Sequence, residues 1–422
     1  MPRSIFVRAT ALFVLSILIV IAVLGGTSRP SRAAGFSSQF FAPYTDMTLF
    51  PTPSLTQITQ NTGLKDYSLA FLTNANTGTC LAAWGGSVPF SQEATFLPNL
   101  QSDIQFVRSQ GGDVTVSFGG QAGTELADSC TSVSTLQAQY QSAITRYQLT
   151  HIDFDIEGVA VTEQTSIDMR NKAIVALQQA NPGLFVSYTL PVLPSGLVDT
   201  GVNILKNAIQ NGVNVGVVNV MAMDYGSSFP TDMGQNAINA GNNVFTQLKS
   251  LYPSKSDSQI FAMIGITPMI GMNDLSSEIF TEQNAQQLLA YAQQHHIGEL
   301  AMWSETRDKP CATPTTSASP TCSNITQQAG DFTKIFNQYN GVSGPPASPT
   351  PTTAVTPTAP ATPVATATPT PGGAPAWDGN FHAYKVGDLV SFQGHTYRCL
   401  QAHTSEPGWD PVDVPALWQL VS

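Results

Sequence analysis

Residues 152–158 read Ile-Asp-Phe-Asp-Ile-Glu-Gly. Carboxylates at Asp153, Asp155 and Glu157 alternate with large apolar groups at Ile152, Phe154 and Ile156. A strand sends successive side chains to opposite faces. The run therefore predicts a strand with three acidic groups on one face and three bulky apolar groups on the other. Like charges that close cannot all ionise cheaply, so at least one proton is retained near neutral pH. A retained carboxyl proton is what a general acid needs. Taken alone, the run also fits a salt-bridged structural strand.

Working outward, short apolar runs recur at 40–46, 68–73, 113–119, 151–157, 185–191, 215–224, 260–268 and 299–304. Amphipathic helical patterns separate most of them, at 131–147, 163–180, 234–251 and 281–295. Strands alternating with helices imply a parallel sheet. Eight such units predict an α/β fold of the (β/α)8 TIM-barrel type, whose chemistry stands at the C-terminal strand ends. Glu157 ends the fourth candidate strand, where that rule wants it.

The flanks differ in kind. Arg3 and Arg8 precede an apolar stretch from Ala11 to Leu24, and Ser31-Arg32-Ala33 offers small residues for cleavage. This predicts a signal peptide over 1–33 and a secreted, extracellular protein without stable membrane association after processing. An uncleaved anchor stays open as the other reading. Residues 341–375 carry Pro, Thr, Ala, Ser, Val and Gly without a charge or an aromatic ring, which predicts an extended tether. It divides a domain at 36–340 from a small all-β module at 376–422. In the module, 386–392 and 395–400 read as two strands joined by a Gly turn. Its three Trp and two Tyr are too many for one tiny core, so a ring such as Trp409 is expected at the surface.

The net charge is −11, with no Lys/Arg cluster, which argues against nucleic acid. Only 11% of residues are charged, a composition suited to a neutral polymer. Of the five cysteines, Cys80 could pair with Cys130 and Cys311 with Cys322, leaving Cys399 as a buried thiol. No Cys/His spacing matches a zinc site.

DFDIE at 153–157 resembles the core of the DxxDxDxE signature of glycoside hydrolase family 18, the chitinases and their relatives. The signature's first Asp falls on Thr150 here. Ser117-Phe118-Gly119-Gly120 is similar to the family's second signature, SxGG. Met221-Ala222-Met223-Asp224-Tyr225 resembles its pocket-lining segment, and Trp303 occupies the place of its pocket-floor Trp. The resemblance implies a retaining, substrate-assisted hydrolysis with Glu157 as general acid and base. It makes Asp155 the group that steadies the acetamido N–H and Asp153 a deeper partner sharing a proton with Asp155. Tyr225 would hydrogen-bond the acetamido group. Asp224, Met221, Trp303, Ser117, Gly119 and Gly120 would line the sugar pocket. Tyr44, Asp46, Gln121 and Tyr188 lie near other strand ends and are further candidates for the cleft. No metal or organic cofactor is required.

Residues 376–422 resemble a family 5/12 chitin-binding module, through Trp377, Tyr384, 387–390 (GDLV), Tyr397, 402–404 (AHT), 408–411 (GWDP) and Trp418. Trp409 is expected on its binding face, with Tyr384 and Trp418 as further candidates, although Trp418 and Trp377 also fit a core. The expected partners are chitin and N-acetylglucosamine oligosaccharides, met by a monomer. An endo-β-N-acetylglucosaminidase acting on glycans and a non-catalytic chitin-binding lectin remain as alternatives.

Overall fold

The computed structural model describes residues 36–75, 79–226, 229, 231–340, 374–379, 382–400, 403–405, 410–412 and 417–421. The expected signal peptide, nearly all of the tether and Trp409 lie outside these residues.

Eight parallel strand positions close into a barrel. The first is split into Phe40–Phe41 and Tyr44–Asp46. Pro43 falls in the gap, and proline has no N–H to give a ladder. Phe40–Phe41 pairs with the eighth strand, Glu299–Leu300, and Tyr44–Asp46 pairs with the second, Asp66–Asn74. Between them run Asp113–Gly119, His151–Asp155, Phe185–Pro191, Val217–Ala222 and Ile264–Pro268, each parallel to its neighbours.

The strand starting at 260 is corrected. Residues Asp257–Phe261 form a short helix, and the seventh strand begins at Ile264. Ser256 and Gln259 make a reciprocal capping box that nucleates this turn. The eighth strand is also shorter than 299–304. Its backbone bonding nonetheless continues, from Tyr44 N–H to Met302 O and from Trp303 N–H to Pro268 O. The four expected helices form at Val133–Tyr147, Gln164–Ala180, Met233–Leu251 and Glu282–His295. Leu55–Thr62, Leu100–Ser109 and Asp199–Asn211 are additional helices that the sequence reading missed.

The strands are two-sided. Ile152, Phe154, Val186, Val218 and Val220 are fully buried in the apolar core. The opposite face turns polar groups into the barrel: Ser117, Asp153, Ser187, Thr189, Asn219 and Thr267 are all buried. Barrel interiors are ordinarily filled by branched apolar side chains. Here a polar interior places acceptors and donors directly below the site. Cys80 is bonded to Cys130 and Cys311 to Cys322, and Cys399 is buried outside both disulfides. No helix among the described residues is long and apolar enough to cross a membrane.

The C-terminal piece is all β. Leu389–Phe392, His395–Cys399 and Trp418–Leu420 form an antiparallel sheet, and Ala383–Tyr384 pairs with His403–Thr404. Gln393 and Gly394 both have positive φ, as a two-residue hairpin turn requires.

Two buried groups at the base of the barrel set a pH dependence. Burial pushes the Asp66 carboxyl up to about 7, against the Asp113 N–H bonded to it. Burial among Phe36, Phe40 and Phe185 pushes His151 down to about 3. Folded Asp66 holds a proton that the unfolded chain releases near 3.8, so its contribution is complete at low pH and fades as pH rises through about 7. Neutral His151 contributes the opposite slope, but only below its ordinary value of 6.5. The melting temperature should therefore fall between pH 6.5 and 8; burial also lifts the Glu305 carboxyl to about 8, so Asp66→Asn should lessen that fall without abolishing it. Calorimetric scans across this range test it; an equal fall in the variant would remove Asp66 as the cause.

Candidate active site

The fourth strand supplies the acidic row. Asp153, 2% exposed, lies within the barrel. Its Oδ2 accepts the Tyr44 hydroxyl at 2.9 Å and the Ser117 hydroxyl at 2.7 Å. Its Oδ1 accepts Ser187 at 2.6 Å and Thr189 at 2.9 Å. Behind these, Asn219 donates to Thr189 at 3.0 Å and accepts from Thr267 at 2.9 Å. Burial holds the Asp153 carboxyl above its usual range, and the four hydroxyl bonds pull the other way. Burial, then the nearby Asp153 and Asp155 charges, holds the Tyr44 phenol protonated well above its ordinary range. Ser117 thus supports Asp153 from below and does not line the cavity, which corrects its assignment as a sugar contact.

Asp155 is buried at the strand end, and Glu157 follows half-exposed on the rim. Gly119 and Gly120 let the third strand come this close. A Cβ on Gly119 would stand 2.0 Å from the Asp155 carbonyl oxygen. One on Gly120 would stand 2.7 Å from the Phe71 ring. Gly120 N–H donates to the Asp155 carbonyl at 3.0 Å.

Above Asp155 opens a cavity of about 290 Å³. Its walls include Glu157, Asp155, Tyr44, Asp46, Gln121, Met221, Asp224 and Trp303, all expected from sequence. Met223, from the expected pocket-lining segment, lines it too, and Phe71, Thr189 and Asp274 also line it and were not foreseen. Phe71 and Trp303 stack with ring centroids 5.5 Å apart, and Tyr44 lies 6.2 Å from Trp303. The result is an aromatic wall facing two carboxylates. Gly119 and Gly120 line a shallower depression that shares Gln121, Asp155 and Glu157 with the cavity. Glu157 therefore stands where the two meet.

Two assignments in this region change. Tyr225 is only 1% exposed, belongs to the apolar core and does not line the cavity. Asp224 has a left-handed φ of 49°, which breaks the strand alternation one residue earlier. Met223 keeps the side it shares with Met221, and Asp224 joins it on the cavity wall in place of Tyr225. Asp224 Oδ1 is fixed by the Leu275 N–H at 2.8 Å, while the Tyr225 N–H donates to Glu278 at 3.1 Å. Tyr188 lies away from the cavity, and its hydroxyl donates to Asn171.

In the C-terminal piece, Tyr384 and Trp418 are 5% and 2% exposed and meet edge to face at 4.9 Å. They are core, not a binding face, because this small sheet has little else to bury. Among the described residues no group of three or more His, Cys, Asp or Glu could hold a metal ion.

Residues 376–419 match the model of carbohydrate-binding module family 5/12. The chain is 37% identical over 314 residues to a probable bifunctional chitinase/lysozyme of Escherichia coli, covering 71% of this chain and 34% of that protein. It is 37% identical over 284 residues to endochitinase 11 of Metarhizium anisopliae, covering 64% of this chain and 53% of that protein. The match thus spans about a third and about half of these relatives' lengths. The crystal structure of the catalytic domain of a hyperthermophilic chitinase from Pyrococcus furiosus superposes with a TM-score of 0.66 at 36% identity, covering 74% of this chain and 99% of that one.

Proposed function

The chain belongs to glycoside hydrolase family 18, with a family 5/12 carbohydrate-binding module at its C-terminal end, and on that premise we propose that it hydrolyses the β-1,4 links between N-acetylglucosamine units of chitin. The observation that carries the proposal is the pairing of Asp155 and Glu157 on the wall of an aromatic-lined cavity, above an Asp153 held by four hydroxyls.

The reaction proceeds through the substrate's own acetamido group. With a sugar against Trp303 and Phe71, its acetamido oxygen attacks the anomeric carbon. The bond to the leaving oxygen breaks, and that oxygen takes the Glu157 proton. Asp155 accepts the acetamido N–H and balances the positive oxazolinium ring. Water then adds to the anomeric carbon as its bond to the acetamido oxygen breaks, passing a proton to Glu157 and restoring the acetamido group, and configuration is retained. Asp153, held by four hydroxyls below, would share a proton with Asp155 and keep the charge of the pair tolerable. No cofactor enters.

The proposed organisation is a signal peptide at 1–33, a catalytic domain at 36–340, a tether at 341–375 and a chitin-binding module at 376–422, in a secreted monomer. The tether would raise the local concentration of the barrel on an insoluble surface. The test is an assay on colloidal chitin beside one on N-glycans, with the product anomer followed by NMR. Release of β-configured N-acetylglucosamine oligosaccharides from chitin is expected. Cleavage of glycans alone would replace the proposal by an endo-β-N-acetylglucosaminidase, and binding of chitin without cleavage would replace it by a lectin.

A further inference from the structure

Phe50 is 97% exposed, the most exposed of the large apolar side chains described. It makes no ring contact among the described residues. Its place in the fold is not arbitrary. It lies on the connection that leaves the first barrel strand at the C-terminal face, between Tyr44–Asp46 and the helix Leu55–Thr62. Asp46 and Thr48 on the same connection line the cavity. Two residues of chain reach at most about 7 Å, so Phe50 stands within a sugar unit or two of the rim.

This connection is pinned rather than loose. Asp46 Oδ1 accepts both the N–H and the hydroxyl of Thr48, at 2.9 and 2.6 Å. Met47 is buried, and its N–H donates to Ala70 O at 3.0 Å. Thr48 packs so closely on the neighbouring hairpin that a Cβ on Gly85 would meet its methyl at 2.7 Å. At the far end Ser54 caps the following helix. An ordered connection that could fold a Phe inward instead presents it to water beside the cavity mouth. Within the cavity, flat rings already form the wall.

We propose that Phe50 is an outlying binding subsite, a platform for the apolar face of an N-acetylglucosamine unit that extends beyond the cavity on the side bounded by Asp46, Thr48 and Gly85. The inference rests on the chitin reading above and adds a preference for long chains to it. A short substrate that fills only the cavity would not reach Phe50; a longer one would.

The test compares Phe50→Ala and Phe50→Trp with the unaltered full chain, on chitohexaose and on a fluorogenic chitobioside. With Phe50→Ala, kcat/KM on the hexasaccharide should fall roughly three- to tenfold, the scale of one aromatic contact. On the chitobioside it should stay within about twofold. Phe50→Trp should restore the hexasaccharide value, and the cleavage positions should shift in the Ala variant alone. Melting temperatures should be equal, since the ring has no packing to lose. Equal losses on both substrates would make Phe50 a structural residue and overturn the inference; no loss on either would overturn it too. If the unaltered chain cleaves neither substrate, the chitin reading itself fails, which is a distinguishable result.

Discussion

Glu157→Gln should lower kcat on chitin oligosaccharides by roughly 10²- to 10⁴-fold, the range for losing a positioned general acid. The amide keeps the shape and part of the hydrogen bonding of the carboxyl but has no proton to give. Glu157 lines the cavity and lies half-exposed on its rim, so the change removes no core packing. Oligosaccharide binding, measured by calorimetry, should therefore change little while turnover collapses. The loss should shrink for a substrate whose leaving group departs without protonation, such as a nitrophenyl glycoside. Near-normal turnover of the variant on chitohexaose would refute the role of Glu157 as acid.

The second large effect belongs to Asp155→Asn. Here the expected loss is roughly 10²- to 10³-fold in kcat, as for removing one preorganised electrostatic group aimed at a developing charge. Asn can still accept an N–H bond, but it cannot neutralise a positive ring. The variant should consequently bind the neutral product almost as before and a positively charged oxazoline analogue much more weakly. Buried at the strand end against Gly119 and Gly120, Asp155 has little room to be replaced by a shifted neighbour. Unchanged affinity for the charged analogue would sink this assignment even if activity fell.

Much of this site was legible along the chain. Asp153, Asp155 and Glu157 obey a plain period of two, because a strand leaves no other choice. Trp303 and Met221 were expected from the family resemblance and Asp46 and Tyr44 from their places near strand ends, and the cavity includes all four. Phe71 was missed for a specific reason. The pairing of the second and third strands shifts between Leu69 and Leu72, so one extra residue enters the second strand. Such a bulge re-aims side chains, and no alternation rule foresees it. Tyr225 was assigned to the pocket through the resemblance of its segment, and the left-handed backbone at Asp224 instead turns it into the core. Tyr384 and Trp418 stood as candidate binding rings, with a core reading already open for Trp418, because aromatic content alone does not separate a small core from an exposed face.

Local pattern determined that this chain builds eight strands with helices between them and that one of them carries a row of alternating carboxylates. Those features depend on neighbours within a few residues, which a sequence displays directly. Only the closed barrel decided what surrounds Asp153, since Tyr44, Ser117, Ser187 and Thr189 come from three other strands. Burial and hydroxyl bonds from remote parts of the chain set the protonation of such a group. These contacts follow from strand register around a ring, and register is a property of the whole assembly.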